Sequence, residues 1–146
     1  MSQRTATNRT VALCYLRKSV VRSGVDYASV EIQRAAIAEF CARRGWVTEW
    51  YEDAEGHSSG RYETGRPAWL RLKRRVADPD VAIVVGYKFD RLGRSVKDLI
   101  AFIQYCISRE VDVQTVDGTL NVSGRINAIA SAQINMLATF AQFESS

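Results

Sequence analysis

Two stretches of this sequence bring together residue types able to attack a phosphate ester. Arg17-Lys18-Ser19 closes an apolar run that starts at Val11, and Asp90-Arg91-Leu92-Gly93-Arg94 follows a second run that starts at Val81. A serine hydroxyl can act as nucleophile, permanently charged arginines can hold non-bridging phosphate oxygens through paired N–H groups, and a carboxylate can orient those arginines or carry a proton. Ser19 is the candidate nucleophile. Each piece alone has an ordinary reading: surface arginines are mostly a solvated cationic rim, and a lone serine is mostly a turn or cap residue. A site is favoured because both stretches close runs of strand character, and strand ends in an α/β sheet are where ligands bind.

The elements that must position these residues follow from the spacing of apolar side chains. Residues 11–16 form a short continuous apolar run, which suits a strand covered on both faces. Over 27–44 the positions Val30, Ile32, Ala36, Ile37, Phe40 and Cys41 recur at helical spacing, and Gly45 closes the segment as a C-cap glycine does. Residues 46–51 predict a second strand and 52–66, rich in glycine, serine and charge, a loop. Pro67 opens a short helix to about residue 77, Asp78-Pro79-Asp80 is a turn, and the β-branched run 81–85 is a strand. Ser95 caps a helix whose face is Leu99, Ile100, Phe102, Ile103, Cys106 and Ile107, and residues 111–116 make a fourth strand. The alternation predicts an α/β fold: a mainly parallel central sheet of four to five strands with helices on both faces, joined by right-handed crossovers. Residues 1–10 are polar and are expected to form a disordered arm. From about residue 125 the sequence predicts a long helix carrying Ile126, Ile129, Met136, Leu137, Phe140 and Phe143, truncated at the chain end.

Composition bounds the possibilities. A chain of 146 residues is one domain's worth. Hydrophobic content of 47% with 25% charged residues suits a folded domain, and no apolar run approaches the ~18 to 20 residues of a membrane span. The first residues lack the apolar core of a signal peptide, so a cytoplasmic location and no membrane partner are expected. Cys14, Cys41 and Cys106 lie in apolar segments without CxxC or Cys/His spacing and are expected to be buried reduced thiols. A net charge of +4 is compatible with a polyanion partner without requiring one. His57, the sole histidine, argues against a Ser-His-Asp hydrolase, and Asp53, Glu55 and His57 have no second ligand cluster that would make a metal site.

Taken in order, Tyr15-Leu16-Arg17-Lys18-Ser19, Gln33, Asp53 through Ser59-Gly60 to Arg66-Pro67, Asp90-Arg91-Leu92-Gly93-Arg94 and Ala141-Gln142-Phe143-Glu144 resemble the catalytic domain of serine recombinases over nearly all of residues 11–146. The resemblance implies that Ser19 attacks a DNA phosphate and becomes linked to the 5′ end, and that Arg17, Arg66, Arg91 and Arg94 bind the phosphate. It implies that Asp90 orders the arginines or assists proton transfer, and that Gln33, Asp53 and Ser59 are supporting polar positions of the site. No cofactor and no metal are expected, because a serine and an arginine cluster can replace the metal-bound water and the Lewis acid. The partners would be DNA and further copies of the chain, a dimer on DNA and a tetramer in the synapse. The long connection between Ser19 and Gln33 resembles large serine integrases of phages and mobile elements more than compact resolvases. The family's DNA-binding domains, which follow the long helix, are expected to be absent from this sequence. The competing reading is a non-catalytic DNA-associated interaction or regulatory module of the same fold. Ser19 beside Asp90-Arg91 disfavours it, since a binding module has no need of a nucleophile among arginines.

Overall fold

The apolar run that begins at Val11 becomes an interior strand of the sheet. The computed structural model describes residues 9–17, 30–53, 66–88, 92 and 95–122. Within them the elements run β1 (Val11–Arg17), α1 (Val30–Arg44), β2 (Val47–Asp53), α2 (Pro67–Arg75), β3 (Val81–Gly86), α3 (Val96–Ser108), β4 (Asp112–Thr115) and β5 (Asn121–Val122). The sheet order is β2-β1-β3-β4-β5. Strands β2, β1, β3 and β4 pair in parallel, and β5 returns antiparallel to β4. The α/β architecture is the one expected. Among the positions singled out above, Ser19, Ser59, Asp90, Arg91, Arg94 and the long terminal helix lie outside the described residues.

Strand alternation divides the core in two. Leu13 and Tyr15 of β1 join Trp69 and Leu72 of α2 and Leu99, Phe102 and Ile103 of α3 on one face. Ala12, Cys14 and Leu16 join Ile37 and Cys41 of α1 on the other. Helices therefore cover both faces, and β1 is buried on each side as its unbroken apolar composition requires. Chain order reverses between β1 and β3. The β1-to-β2 crossover carries α1 over one face, and the connections through α2 and α3 run over the other.

Several boundaries differ from expectation for physical reasons. The buried line of α1 is Gln33, Ile37 and Cys41, spaced four apart, so Ile32 falls outside it and is 55% exposed rather than in the core. Strand β2 continues through Glu52 and Asp53, taken from sequence as loop, because they pair in register with Leu16 and Arg17. Helix α2 ends at Arg75, and the turn before β3 begins two residues earlier than expected. Gly45 closes α1 at φ 77°, a left-handed conformation that glycine adopts without strain. Ser95 caps α3, its hydroxyl accepting from the Asp98 N–H at 3.1 Å. The three cysteines are buried and unbridged; Cys14 and Cys41 bring their sulfurs to 3.8 Å across β1 and α1. Arg9 and Thr10, the last residues of the expected arm, hydrogen-bond to Glu110 and to the Asp80 carbonyl.

Candidate active site

Where strand order reverses, the two connections leave the sheet edge in opposite directions and open a crevice at the C-terminal ends of the strands. Here the reversal lies between β1 and β3. Arg17 ends β1 and Gly86 ends β3, so the chain entering Lys18-Ser19 and the chain entering the Asp90 to Arg94 run both depart from this edge. Alternation from Leu13 and Tyr15 sets Arg17 on the face covered by α2 and α3. Arg17 and Asp53 are register partners on neighbouring strands.

Beneath this edge lies a buried polar knot. The Tyr15 hydroxyl donates to Asp53 Oδ2 at 2.7 Å. The same carboxylate accepts from the backbone N–H groups of Ala68, at 2.8 Å to Oδ1, and Trp69, at 3.1 Å to Oδ2. These are first-turn donors of α2 that have no partner within the helix, and the positive end of the helix dipole favours an anion there. Asp53 thus caps a helix fifteen residues downstream, where Pro67 fills the first helical turn at no cost in hydrogen bonds. Burial pushes the Tyr15 phenol up, and Arg66 only partly opposes this, so it stays a proton donor to Asp53. With its oxygens engaged by three donors, Asp53 ties β1 and β2 to the start of α2.

Arg66 is the cation of the knot and is 2% exposed. Its Nε donates to the Tyr15 hydroxyl at 3.3 Å and its Nη2 to the Leu92 carbonyl at 2.7 Å. The guanidinium lies 4.6 Å from the Trp69 ring centroid, and Nη1 stands 3.9 Å from Asp98 Oδ2. Trp69 in turn packs against Tyr15 at 4.9 Å and Phe102 at 4.6 Å between ring centroids. Gln33, fully buried, sits on α1 at the opposite face of the sheet. The structure therefore joins Asp53 and Arg66 through Tyr15, sets Arg17 beside Asp53 in register, and places Gln33 on the other layer. A groove of about 410 Å³ between α2 and α3, floored by Trp69 and Phe102, lies over the helices rather than at the strand ends.

Sequence reasoning missed Tyr15, Leu92 and Asp98 as parts of this knot. One signal was present: a tyrosine inside an unbroken apolar strand must find a hydrogen-bond partner in the core. Among the described residues, no group of three or more His, Cys, Asp or Glu side chains could hold a metal ion, and no helix is long and apolar enough to cross a membrane.

The chain matches the family model for the resolvase N-terminal domain over residues 12–146. Its fold superposes on the N-terminal catalytic domain of TP901-1 integrase with a TM-score of 0.69 at 25% identity, covering 92% of this chain and 96% of that one. A resolvase family site-specific recombinase from Streptococcus pneumoniae gives a TM-score of 0.68 at 21% identity, over 94% of this chain and 89% of that one. The C-terminal catalytic domain of ISC1926 TnpA, an IS607-like serine recombinase, gives 0.58 at 20%, over 73% and 69%. No curated protein sequence matches.

Proposed function

This chain belongs to the family of the resolvase N-terminal domain, and from that premise we propose that it is the catalytic domain of a site-specific DNA recombinase in which Ser19 is the nucleophile. The observation that supports the reading is the reversal of strand order between β1 and β3, which sets the ends of these two strands, Arg17 and Gly86, side by side at one sheet edge just before the Lys18-Ser19 and Asp90 to Arg94 stretches of the sequence. In the proposed step the Ser19 Oγ–P bond forms as the bond between phosphorus and the 3′ oxygen breaks. The serine proton passes to Asp90 or solvent, and the departing 3′ oxygen takes up a proton. The products are a 5′-phosphoserine linkage and a 3′ hydroxyl. Because the ester conserves the energy of the broken bond, attack by another 3′ hydroxyl rejoins strands without ATP.

Phosphoryl transfer asks mainly for positioning and charge neutralisation. Arg17, Arg91 and Arg94 hold the phosphate oxygens, with Asp90 ordering them. Gln33, Asp53 and Ser59 support the site, Asp53 through the start of α2. The partners are DNA and further copies of the chain, a dimer on DNA and a tetramer during exchange, and the host is a phage or other mobile element.

The test uses full-length protein on nicked substrates that trap the covalent complex, resolved by denaturing electrophoresis. Ser19→Ala should bind DNA and give no adduct. Adduct formation should persist in EDTA, since arginines take the charge-neutralising part that a Lewis acid plays elsewhere. A persistent adduct in Ser19→Ala would move the nucleophile to another residue, and loss of the adduct on chelation would refute an arginine-based mechanism.

A further inference from the structure

Leu92 is held twice. Its side chain is fully buried over the end of β3, where a methyl group added to Gly86 would lie 2.8 Å from Cδ2 and 2.9 Å from Cγ of Leu92. Glycine at 86 is what lets the leucine approach so closely. The Leu92 backbone is held independently, its carbonyl accepting from Arg66 Nη2 at 2.7 Å. Arg66 is fixed in turn by Tyr15 at 3.3 Å, by the Trp69 ring at 4.6 Å and, more loosely, by Asp98 at 3.9 Å. A guanidinium that is 2% exposed and bonded to a backbone carbonyl is placed to organise the chain.

Leu92 is joined directly to Arg91 and stands two residues before Arg94. Adjacent Cα atoms are about 3.8 Å apart, so fixing the leucine at side chain and carbonyl limits where the flanking arginines can begin. We infer that Leu92 is a pin that sets Arg91 and Arg94, and that Arg66 is a positioning residue acting through the Leu92 carbonyl rather than on the phosphate. The inference rests on the phosphoryl-transfer reading and departs from the phosphate contact that family resemblance implies for Arg66. The rival is that Nη1, which has no hydrogen-bond partner among the described residues, reaches the DNA.

The two roles separate on a substrate whose scissile phosphate carries a neutral methylphosphonate. An arginine that neutralises a phosphate oxygen loses its task when that charge is removed, whereas one that holds the protein chain keeps it. Single-turnover adduct formation by full-length protein would be followed on phosphodiester and methylphosphonate substrates, with half-saturating DNA concentration measured alongside. Arg91→Ala should be slow on the phosphodiester and regain rate on the methylphosphonate. Arg66→Ala should be slowed roughly 10- to 100-fold on both, with half-saturation unchanged. Recovery of Arg66→Ala on the methylphosphonate would overturn the inference. Should Arg66→Ala fail to fold, Gly86→Ala keeps every charged group and only displaces Leu92. It should lose about 10-fold in rate on both substrates without weaker DNA binding. A folded Gly86→Ala protein with wild-type rates removes the pin. The Ser19→Ala control keeps the two readings apart: an adduct there defeats the assigned chemistry, whereas a silent Ser19→Ala beside a wild-type Gly86→Ala defeats the pin alone.

Discussion

The two ends of the sheet each place an arginine among carboxylates, and they do so in opposite ways. Where strands begin, Arg75 grips Glu49 with Nε and Nη2 at 3.0 and 3.1 Å, and Asp80 with Nη1 and Nη2 at 2.6 and 2.9 Å, while Nη1 also reaches Asp78 at 2.8 Å. These side chains keep between 23% and 52% of their surface in solvent. Arg9 stitches the same edge by pairing with Glu110 at 3.0 Å. Where strands finish, Arg66 and Asp53 are 2% and 3% exposed, and the Tyr15 hydroxyl stands between them. Solvated pairs contribute modestly and tolerate loss, whereas a buried polar cluster is costly unless each donor and acceptor is met. Here the Asp53 carboxylate, the Tyr15 hydroxyl and two of the three Arg66 nitrogens are met while Arg66 Nη1 and Trp69 Nε1 have no hydrogen-bond partner among the described residues, and the bonds that are made leave the cluster few alternative arrangements. The strand-start end uses the first design, and the end to which the proposed chemistry is assigned uses the second.

The largest expected effect lies in the buried knot. Asp53→Ala leaves the Tyr15 hydroxyl and two α2 amides buried without their acceptor and should cost about 3 kcal/mol or more in denaturant unfolding, at roughly 1 to 3 kcal/mol for each such group with incomplete additivity. A cost under about 1 kcal/mol would erase the contrast between the two ends.

Arg75→Ala should cost about 1 kcal/mol at low salt, and the difference should shrink in about 1 M salt, where the screening length is about 3 Å. Cleavage per bound DNA should not change. A cost equal to that of Asp53→Ala, or a slowed cleavage step, would show that the strand-start end also shapes the active site.

The smallest effect is a pH dependence. Hydrogen bonds from Arg75, the chief cause, hold the Glu49 carboxyl below its ordinary value of 4.5. A group depressed in the folded state contributes stability that is complete above its ordinary value and is lost as pH falls through the depressed one. The stability gap between wild type and Arg75→Ala should thus be constant from neutral pH down to about 5 and close progressively below 4.5. A gap that widens on acidification would mean that Glu49 is not the partner that matters.

The fold was largely legible because its signals are local. The unbroken apolar runs of β1 and β3, Pro67 opening α2, Ser95 capping α3 and Gly45 closing α1 each declare themselves within a few residues. Two acidic residues at the end of β2 concealed strand structure, since aspartate and glutamate rarely favour strands and only pairing with Leu16 and Arg17 holds them there. The spacing in α1 placed Ile32 on the core face, but the turn that faces the sheet runs through Gln33, a polar side chain that a hydrophobic pattern ignores. In the site, the importance of Asp53 and Arg66 was legible only through family resemblance. Their union through Tyr15, and the grip of Arg66 on Leu92, arise from chain segments 26 to 51 residues apart, and no local pattern encodes such contacts.

The central claim, that chemistry at the strand-finish end runs through a serine nucleophile, is tested most directly by mass spectrometry of the covalent complex formed on a nicked substrate. After protease and nuclease digestion, the peptide containing Ser19 should carry the 5′ phosphate of the cleaved strand, and Ser19→Ala should yield no modified peptide. A nucleotide attached to any other residue, or cleavage that leaves a free 5′ phosphate and no protein-linked product, would contradict the account.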